Sequence, residues 1–501
     1  MSQDLQQFSY SMSNESGQSM PVPFLKKELL YQIDNNNSTN YQRNTVQFET
    51  STFSNSGKFF DFRDGFISIP LVMTITRDVG HGIDAATAKQ MLQMKASNLS
   101  IIDSIQVEMN NNTVLQQTRN IAPLLNFKLH STMGHGDETI HGHHMGYQKH
   151  SSTDWSYVAK EGLHNDTAGS MDKKFYHEEK PGVLEIADLK KKGSNCQETS
   201  GLVNTFYYDC IIRLKDLPFF EKMPLVRGSL MKITLTLNQS DTHIEVAGGD
   251  KDKFSSTLAG SFCPVIRKAG GEVNDYVEDI SVKVVSNGAV VHPTKNQCRL
   301  YVPAYTFENS AEQSYLSLGS KKVLYSDVFF QRLRGVNGGY QALLTNALSR
   351  MKKLVIIPVL SASGNGTLAI EPQSSPFTTD GVGTTSACRI SDFNVQLSGS
   401  NVYSNPITFS YQHYLLEQDG NDGVNGGKEM GTSSGQISLK DFESNYGYIV
   451  VDLSRRNKFD DNVPLSVQVS GTVSSAKPLD LLCYIEYEKD VTIDITTGQL
   501  M

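Results

Sequence analysis

Half of the chain's twelve histidines fall in one short stretch: His130, His135, His141, His143, His144 and His150. Imidazole is the commonest metal ligand, and His141-x-His143-His144 sets three rings within four residues, a set that zinc, copper or nickel can use. The same rings would gain charge together near pH ~6.5, so a pH-responsive contact is a second reading. A metal site also needs a rigid frame and outer partners that orient its ligands. Here glycines at 134, 136, 142 and 146 interrupt the histidines. The stretch therefore reads as a flexible polar surface loop, and no metal ligand is assigned to it.

Other chemistry is weaker still. One G-x-S-x-G match exists, Gly431-Thr432-Ser433-Ser434-Gly435. A nucleophile elbow needs a buried strand before the serine and a helix after it. This match lies in a polar loop with neither. The chain has no H-E-x-x-H and no Walker loop. Carboxylates are numerous, so a glycosidase pair stays open in principle, but nothing singles out two of them. No catalytic residue and no cofactor site is assigned. Tyr301, Tyr305 and Phe307 could form a stacking platform for bases, yet only Arg299 supplies charge beside them in sequence, and core packing is the better reading.

Composition narrows the class. The net charge is −8 and the pI about 5.9. A general nucleic-acid binder would show a clustered basic surface, whereas Lys26-Lys27, Lys190-Lys191-Lys192, Lys321-Lys322 and Lys352-Lys353 are short runs that read as solvated charge. Cys196, Cys210, Cys263, Cys298, Cys388 and Cys483 are scattered, with no C-x-x-C pair, which argues against a zinc ribbon or a redox dithiol and favours a reducing compartment. The N-terminus lacks the basic-then-apolar order of a signal peptide, so export is not expected. No apolar run approaches the ~18 residues of a membrane span. Asn37-Ser38-Thr39 is a sequon of the kind that arises by chance in a chain rich in these residues.

The elements that would position any site are strands. Gly, Asn, Ser and Thr are abundant and long helical periodicities are rare. Ile390 to Val402, ISDFNVQLSGSNV, is a period-2 strand ending in small polar turn residues. It has a partner in Ile102 to Val114, IDSIQVEMNNNTV. Ile, Val and Val match outright, Ile105 faces Phe393, and Met109 faces Leu397. The surroundings repeat too. A short helix is expected before each copy, over Ala85–Met94 capped by Asp84, and over Gln341–Ser349. Downstream, Phe206–Leu214 and Gly228–Leu237 correspond to Tyr446–Leu453 and Pro464–Val469. A repeat of about 290 residues is far longer than a solenoid unit and implies two copies of a whole domain.

The chain then divides as follows. Residues 1–44 form a polar arm in which only Pro23–Ile33 has the apolar character to dock. A first β domain covers 45–290, with a long polar insertion at 131–200 that includes the single tryptophan, Trp155. Within it, Phe66–Thr76 is a strand whose Pro70 suggests an edge or a bulge, Ile121–Leu129 is a buried segment, Leu230–Leu237 alternates cleanly, and Ile280–Val285 closes the domain. The second domain covers 291–501 and opens with CRLYVPAYTF at Cys298. Leu354–Leu360 is a continuous apolar run, and 361–387 and 419–435 are glycine-rich loops.

Four stretches give this order of segments a likeness: Leu217–Asn238 with its Pro224-Leu225-Val226-Arg227-Gly228 centre; Cys298–Phe307 running on to Glu312-Gln313; Leu343–Pro358; and Asp392–Gln418 ending in HYLLEQ. Over residues 45–490 the chain resembles the double jelly-roll major capsid proteins of polinton-like viruses and virophages. The resemblance implies an all-β fold of two tandem eight-stranded jelly rolls with short helices in the loops. It implies a viral structural protein, not an enzyme, that self-assembles as a homotrimer into a pseudo-hexagonal capsomer of an icosahedral double-stranded DNA virus. Partners would be neighbouring capsomers and penton and minor capsid proteins, and the location would be the virion. Two other readings are a β-sandwich carbohydrate-binding protein, disfavoured by a single tryptophan, and a metal-dependent jelly-roll protein, disfavoured because the histidines do not sit on strands.

Overall fold

The structure, a computed structural model, describes residues 24–34, 44–77, 89–94, 96–147, 184–185, 196–200, 203–244, 254–258, 264–270, 277–284, 297–360, 389–419, 437–444, 447–454, 463–474 and 478–501.

In the second half, eight strands form two four-stranded antiparallel sheets. One sheet runs in spatial order Ser320–Val336, Leu479–Asp494, Met351–Leu360, Ile449–Asp452. The other runs Gly338–Leu348, Leu465–Ser474, Arg389–Leu397, Ser400–Asn401. Counted along the chain, these orders are 1-8-3-6 and 2-7-4-5. That interleaving is a jelly roll. The first half holds the same two orders. Phe24–Ile33, Arg299–Phe307, Phe66–Arg77 and Val203–Arg213 lie side by side, and so do Thr45–Glu49, Met231–Leu237, Ile102–Met109 and Asn112–Thr118. The fold is all-β, with two tandem eight-stranded rolls.

The duplicated hairpin occupies equivalent places. Ile102–Met109 pairs with Met231–Leu237, and Arg389–Leu397 pairs with Leu465–Ser474. Each strand then turns through two residues of positive φ, Asn110 and Asn111 (49° and 65°) in one roll, Ser398 and Gly399 (47° and 84°) in the other. Such a pair matches the twist of a hairpin. Ile105, Val107 and Met109, like Phe393, Val395 and Leu397, point into their respective cores.

Several expectations need correction. Phe24–Ile33, placed in the arm, is a strand paired with Arg299–Phe307, which was placed in the second domain. The pairing closes the first roll from both ends of its sequence. Its logic is burial: Leu300, Val302 and Ala304 alternate into the first core, and Leu30 packs there from the neighbouring strand. Gln341–Ser349 is not helical; Gly338–Leu348 is a strand against Leu465–Ser474. Of Ala85–Met94, the described part Lys89–Met94 is a strand against Val265–Gly270, and Asp84 lies outside the described residues. Pro70 sits inside the sheet, not at its edge. It falls where the partner changes: Phe66–Ser68 pairs with Arg299–Tyr301 and Leu71–Arg77 with Val277–Val284, so a missing amide donor interrupts no ladder on that side. Ile121–Leu129 is buried as expected, but as the helix Ala122–Thr132 with proline in its first turn. A second helix, His135–Met145, follows. The insertion thus begins as ordered helices, not as a loop; Trp155 and the serine of the G-x-S-x-G match lie outside the described residues.

The helix Ala122–Thr132 explains the apolar run at 354–360. Leu354 and Ile356 face the second core, while Val355, Ile357 and Val359 face the other way, into a cluster with Leu124 and Phe127 of that helix. Both faces of the strand are covered, which removes the polar alternation of a half-exposed strand. Truncating one such side chain to alanine costs about 2–5 kcal/mol.

Candidate functional site

The rolls are joined by a hydrogen-bonded seam. Tyr484 Oη donates to the Asn120 carbonyl at 2.6 Å, and Thr118 Oγ1 donates to the Val328 carbonyl at 2.8 Å. Lys128 pairs with Glu486 at 2.6 Å. The C-terminal residues return to the first roll, where the Gly498 carbonyl accepts from Asn110 Nδ2 (2.6 Å) and Ser229 Oγ (2.9 Å). Hydrogen bonds of this kind are directional, so the seam fixes the angle between two barrels and not only their proximity.

Of the six histidines, the side chains of His130, His141 and His144 are among those described. His130 is buried at the seam, with Nδ1 3.2 Å from Tyr448 Oη and its ring edge-on to Tyr147 at 5.5 Å. His141 and His144 lie on the second helix with ring centroids 5.6 Å apart. His150 is outside the described residues. Among the described residues, no three His, Cys, Asp or Glu side chains form a group able to hold a metal ion. No helix among them is long and apolar enough to cross a membrane.

The outer surface is more informative. Phe24–Ile33 is the outermost strand of its sheet and pairs, among the described residues, only with Arg299–Phe307. Its outward positions include Leu25, Leu29 and Tyr31, with 72%, 54% and 55% of their area exposed. An exposed apolar stripe beside a backbone edge that has no partner among the described residues is a surface that normally meets another chain. The sequence signal for it is the apolar stretch Pro23–Ile33, whose composition points to docking but not to a strand of the roll. Leu416 and Leu439, from two short helices over the second roll, are also exposed, at 58% and 52%.

No family model and no curated protein sequence matches the chain. Solved structures do. A chain of the cryo-EM structure of the Sputnik virophage aligns with a TM-score of 0.55 at 13% identity, over 96% of this chain and 89% of that one. The Faustovirus major capsid protein aligns at a TM-score of 0.45 and 12% identity, over 97% of each chain. The mavirus major capsid protein aligns at 0.44 and 12%, over 94% of this chain and 89% of that one. The Sputnik likeness spans both rolls, so the two-roll fold is shared as a unit.

Proposed function

We propose that this chain is the major capsid protein of a double-stranded DNA virus, resident in the virion and acting by self-assembly. The observation that carries the reading is the pair of rolls with one strand order, locked side by side by a buried seam. Closed three-fold symmetry turns two barrels per chain into six, which is a pseudo-hexagonal tile. Such tiles pack into an icosahedral shell with neighbouring copies, penton proteins and minor capsid proteins. The likeness to a chain of a virophage particle over nearly its whole length supports the same reading, as do the exposed edge strand and its apolar stripe. In this reading the first roll spans 24–307 and the second 320–494, and the last residues return to the first roll. The chain's work is binding copies of itself, not catalysis.

Light scattering on the purified protein, followed by negative-stain imaging, tests this. The expected result is a mass of three chains and particles with a three-fold axis. A strict monomer at all concentrations, with no assembly, would overturn it.

A further inference from the structure

The outward face of the first roll carries a row that the sequence scatters over four segments. On the four adjacent strands of that sheet, Tyr31, Tyr301, Phe66 and Arg213 stand at cross-strand positions of one line. The Tyr301 and Phe66 rings stack at 4.8 Å and 16°, and Tyr31 tilts against Tyr301 at 5.9 Å. The inward residues of the same strands, such as Leu300, Ile67 and Ile212, fill the core, so this aromatic row is not core packing. It runs into a cleft of about 460 Å³ whose wall includes Phe66, Lys27, Arg63, Asp64, Arg213 and Lys215. That volume lies in the range of small-molecule sites, ~300–1,000 Å³.

The charge in the cleft is unbalanced. Arg213 is committed to Asp216 through two hydrogen bonds of 2.7 and 2.8 Å. Lys27 rests over the Tyr305 ring at 5.3 Å. Arg63 and Lys215 make no ion pair among the described residues. Among the described residues, Asp64 is the one carboxylate on the wall. Burial, and then the neighbouring Arg213 charge, hold the Lys215 amine below its ordinary value. Crowded cations of this kind gain from a bound anion.

We infer that this cleft is a nucleotide site: the phosphate lies between Arg63 and Lys215, and the base lies against the Phe66–Tyr301 stack. Guanidinium and ammonium groups suit phosphate oxygens, and a flat aromatic face suits any base. The nucleotide could be free, or one unit of a single strand passing over the face. Both sources share the chemistry; the strand alone would also use Tyr31 and Arg299, whose guanidinium sits 5.4 Å from the Tyr31 ring centroid.

The test is calorimetric titration of the full-length protein with three probes: inorganic phosphate, adenosine monophosphate and an eight-residue oligothymidylate. The expected result is that the monophosphate binds at least about 10-fold more tightly than phosphate, because stacking adds ~1–3 kcal/mol per base. Arg63→Gln with Lys215→Gln should weaken it at least about 10-fold, a loss of about 1.4 kcal/mol. Asp64→Asn should strengthen it, a gain that damage to folding does not produce. A further, salt-dependent gain for the oligothymidylate that Tyr31→Ala removes would identify a strand as the source; equal affinity for it and for the monophosphate would identify a free nucleotide. No binding of any probe up to about 5 mM, or binding unchanged in all variants, overturns the proposal.

Discussion

Lys353 and Glu486 stand opposite each other on neighbouring strands of the second roll, both buried, and Lys128 of the first roll reaches the same carboxylate from across the seam. On the other side of Lys353 its cross-strand partner is Asp452, whose amide donates to Glu417 at 2.9 Å. A charged row is thus built into the contact that fixes the two barrels, where burial makes each charge costly unless its neighbours compensate.

Burial pulls the Lys353 amine down to about 8, with Glu486 opposing the shift. An unfolded lysine titrates near ~10.4. Between these values the unfolded chain binds more protons than the folded one, so the lysine's contribution makes stability rise with pH from roughly 8 to 10. Its size is on the order of 3 kcal/mol. The stability of Lys353→Met relative to the parent should fall as the pH rises from 7.5 to 10, because only the parent gains stability across that window. Thermal melts of both proteins across the window measure it; a constant difference would refute the assignment. For Glu486, burial alone would raise the carboxyl, but Lys128 and Lys353 outweigh it and hold it below its usual range. That contribution is present above pH ~4.5 and is lost as pH falls through the lowered value.

Gly498 is the tightest point of the C-terminal return. Its φ is +68°, and a Cβ there would stand 2.3 Å from the Arg227 carbonyl and Ser229 Oγ. Gly498→Ala is expected to cost about 2–4 kcal/mol, adding a backbone collision to the left-handed penalty. Gly399→Ala is the matched control, since φ is +84° but nothing lies within 4 Å. It should cost only about 1–2 kcal/mol. Equal melting temperatures for the two variants would mean that the tail does not hold the seam.

The duplicated hairpin was legible because both copies obey the same local rules: a period-2 core face and two turn residues that tolerate positive φ. What failed was the part of the fold that depends on distant partners. Gln341-Ala342-Leu343-Leu344 carries helix formers, yet it is a strand, because Leu344 has a place in the second core while Gln341 and Leu343 take solvent. Phe24–Ile33 lies after a polar tract and by sequence alone reads as part of an arm; only its pairing with Arg299–Phe307, almost the whole first roll later in sequence, makes it structural. The cleft was illegible for the same reason. Arg299 was the one cation near Tyr301 in sequence, whereas Arg63, Arg213 and Lys215 arrive from other strands and turns.

The Asn110–Asn111 turn offers a stability gain. Asn110 is occupied, since its side chain accepts from the Leu230 amide at 2.9 Å and donates to Gly498. Asn111 is exposed with φ 65°. Asn-Gly is the favoured pair for such a turn. Asn111→Gly should therefore raise stability by about 0.5 kcal/mol, and Asn111→Val should lower it by about 1–2 kcal/mol. Denaturant melts of the two variants decide it, and a gain for valine would show that the turn is not built as described.

The edge strand separates folding from assembly. Leu25 and Leu29 point outward, so a charge there does not enter the core, and Leu30 and the Arg299–Phe307 pairing still hold the strand in place. Lysine on an edge strand is a common barrier to pairing with another chain. The double variant Leu25→Lys, Leu29→Lys should melt within about 0.5–1 kcal/mol of the parent, as surface changes do. Its mass in solution should nonetheless fall toward one chain at concentrations where the parent associates. A parallel loss of melting temperature would place these leucines in the core instead, and an unchanged mass would move the assembly contact to another face, with Leu416 and Leu439 the next to charge.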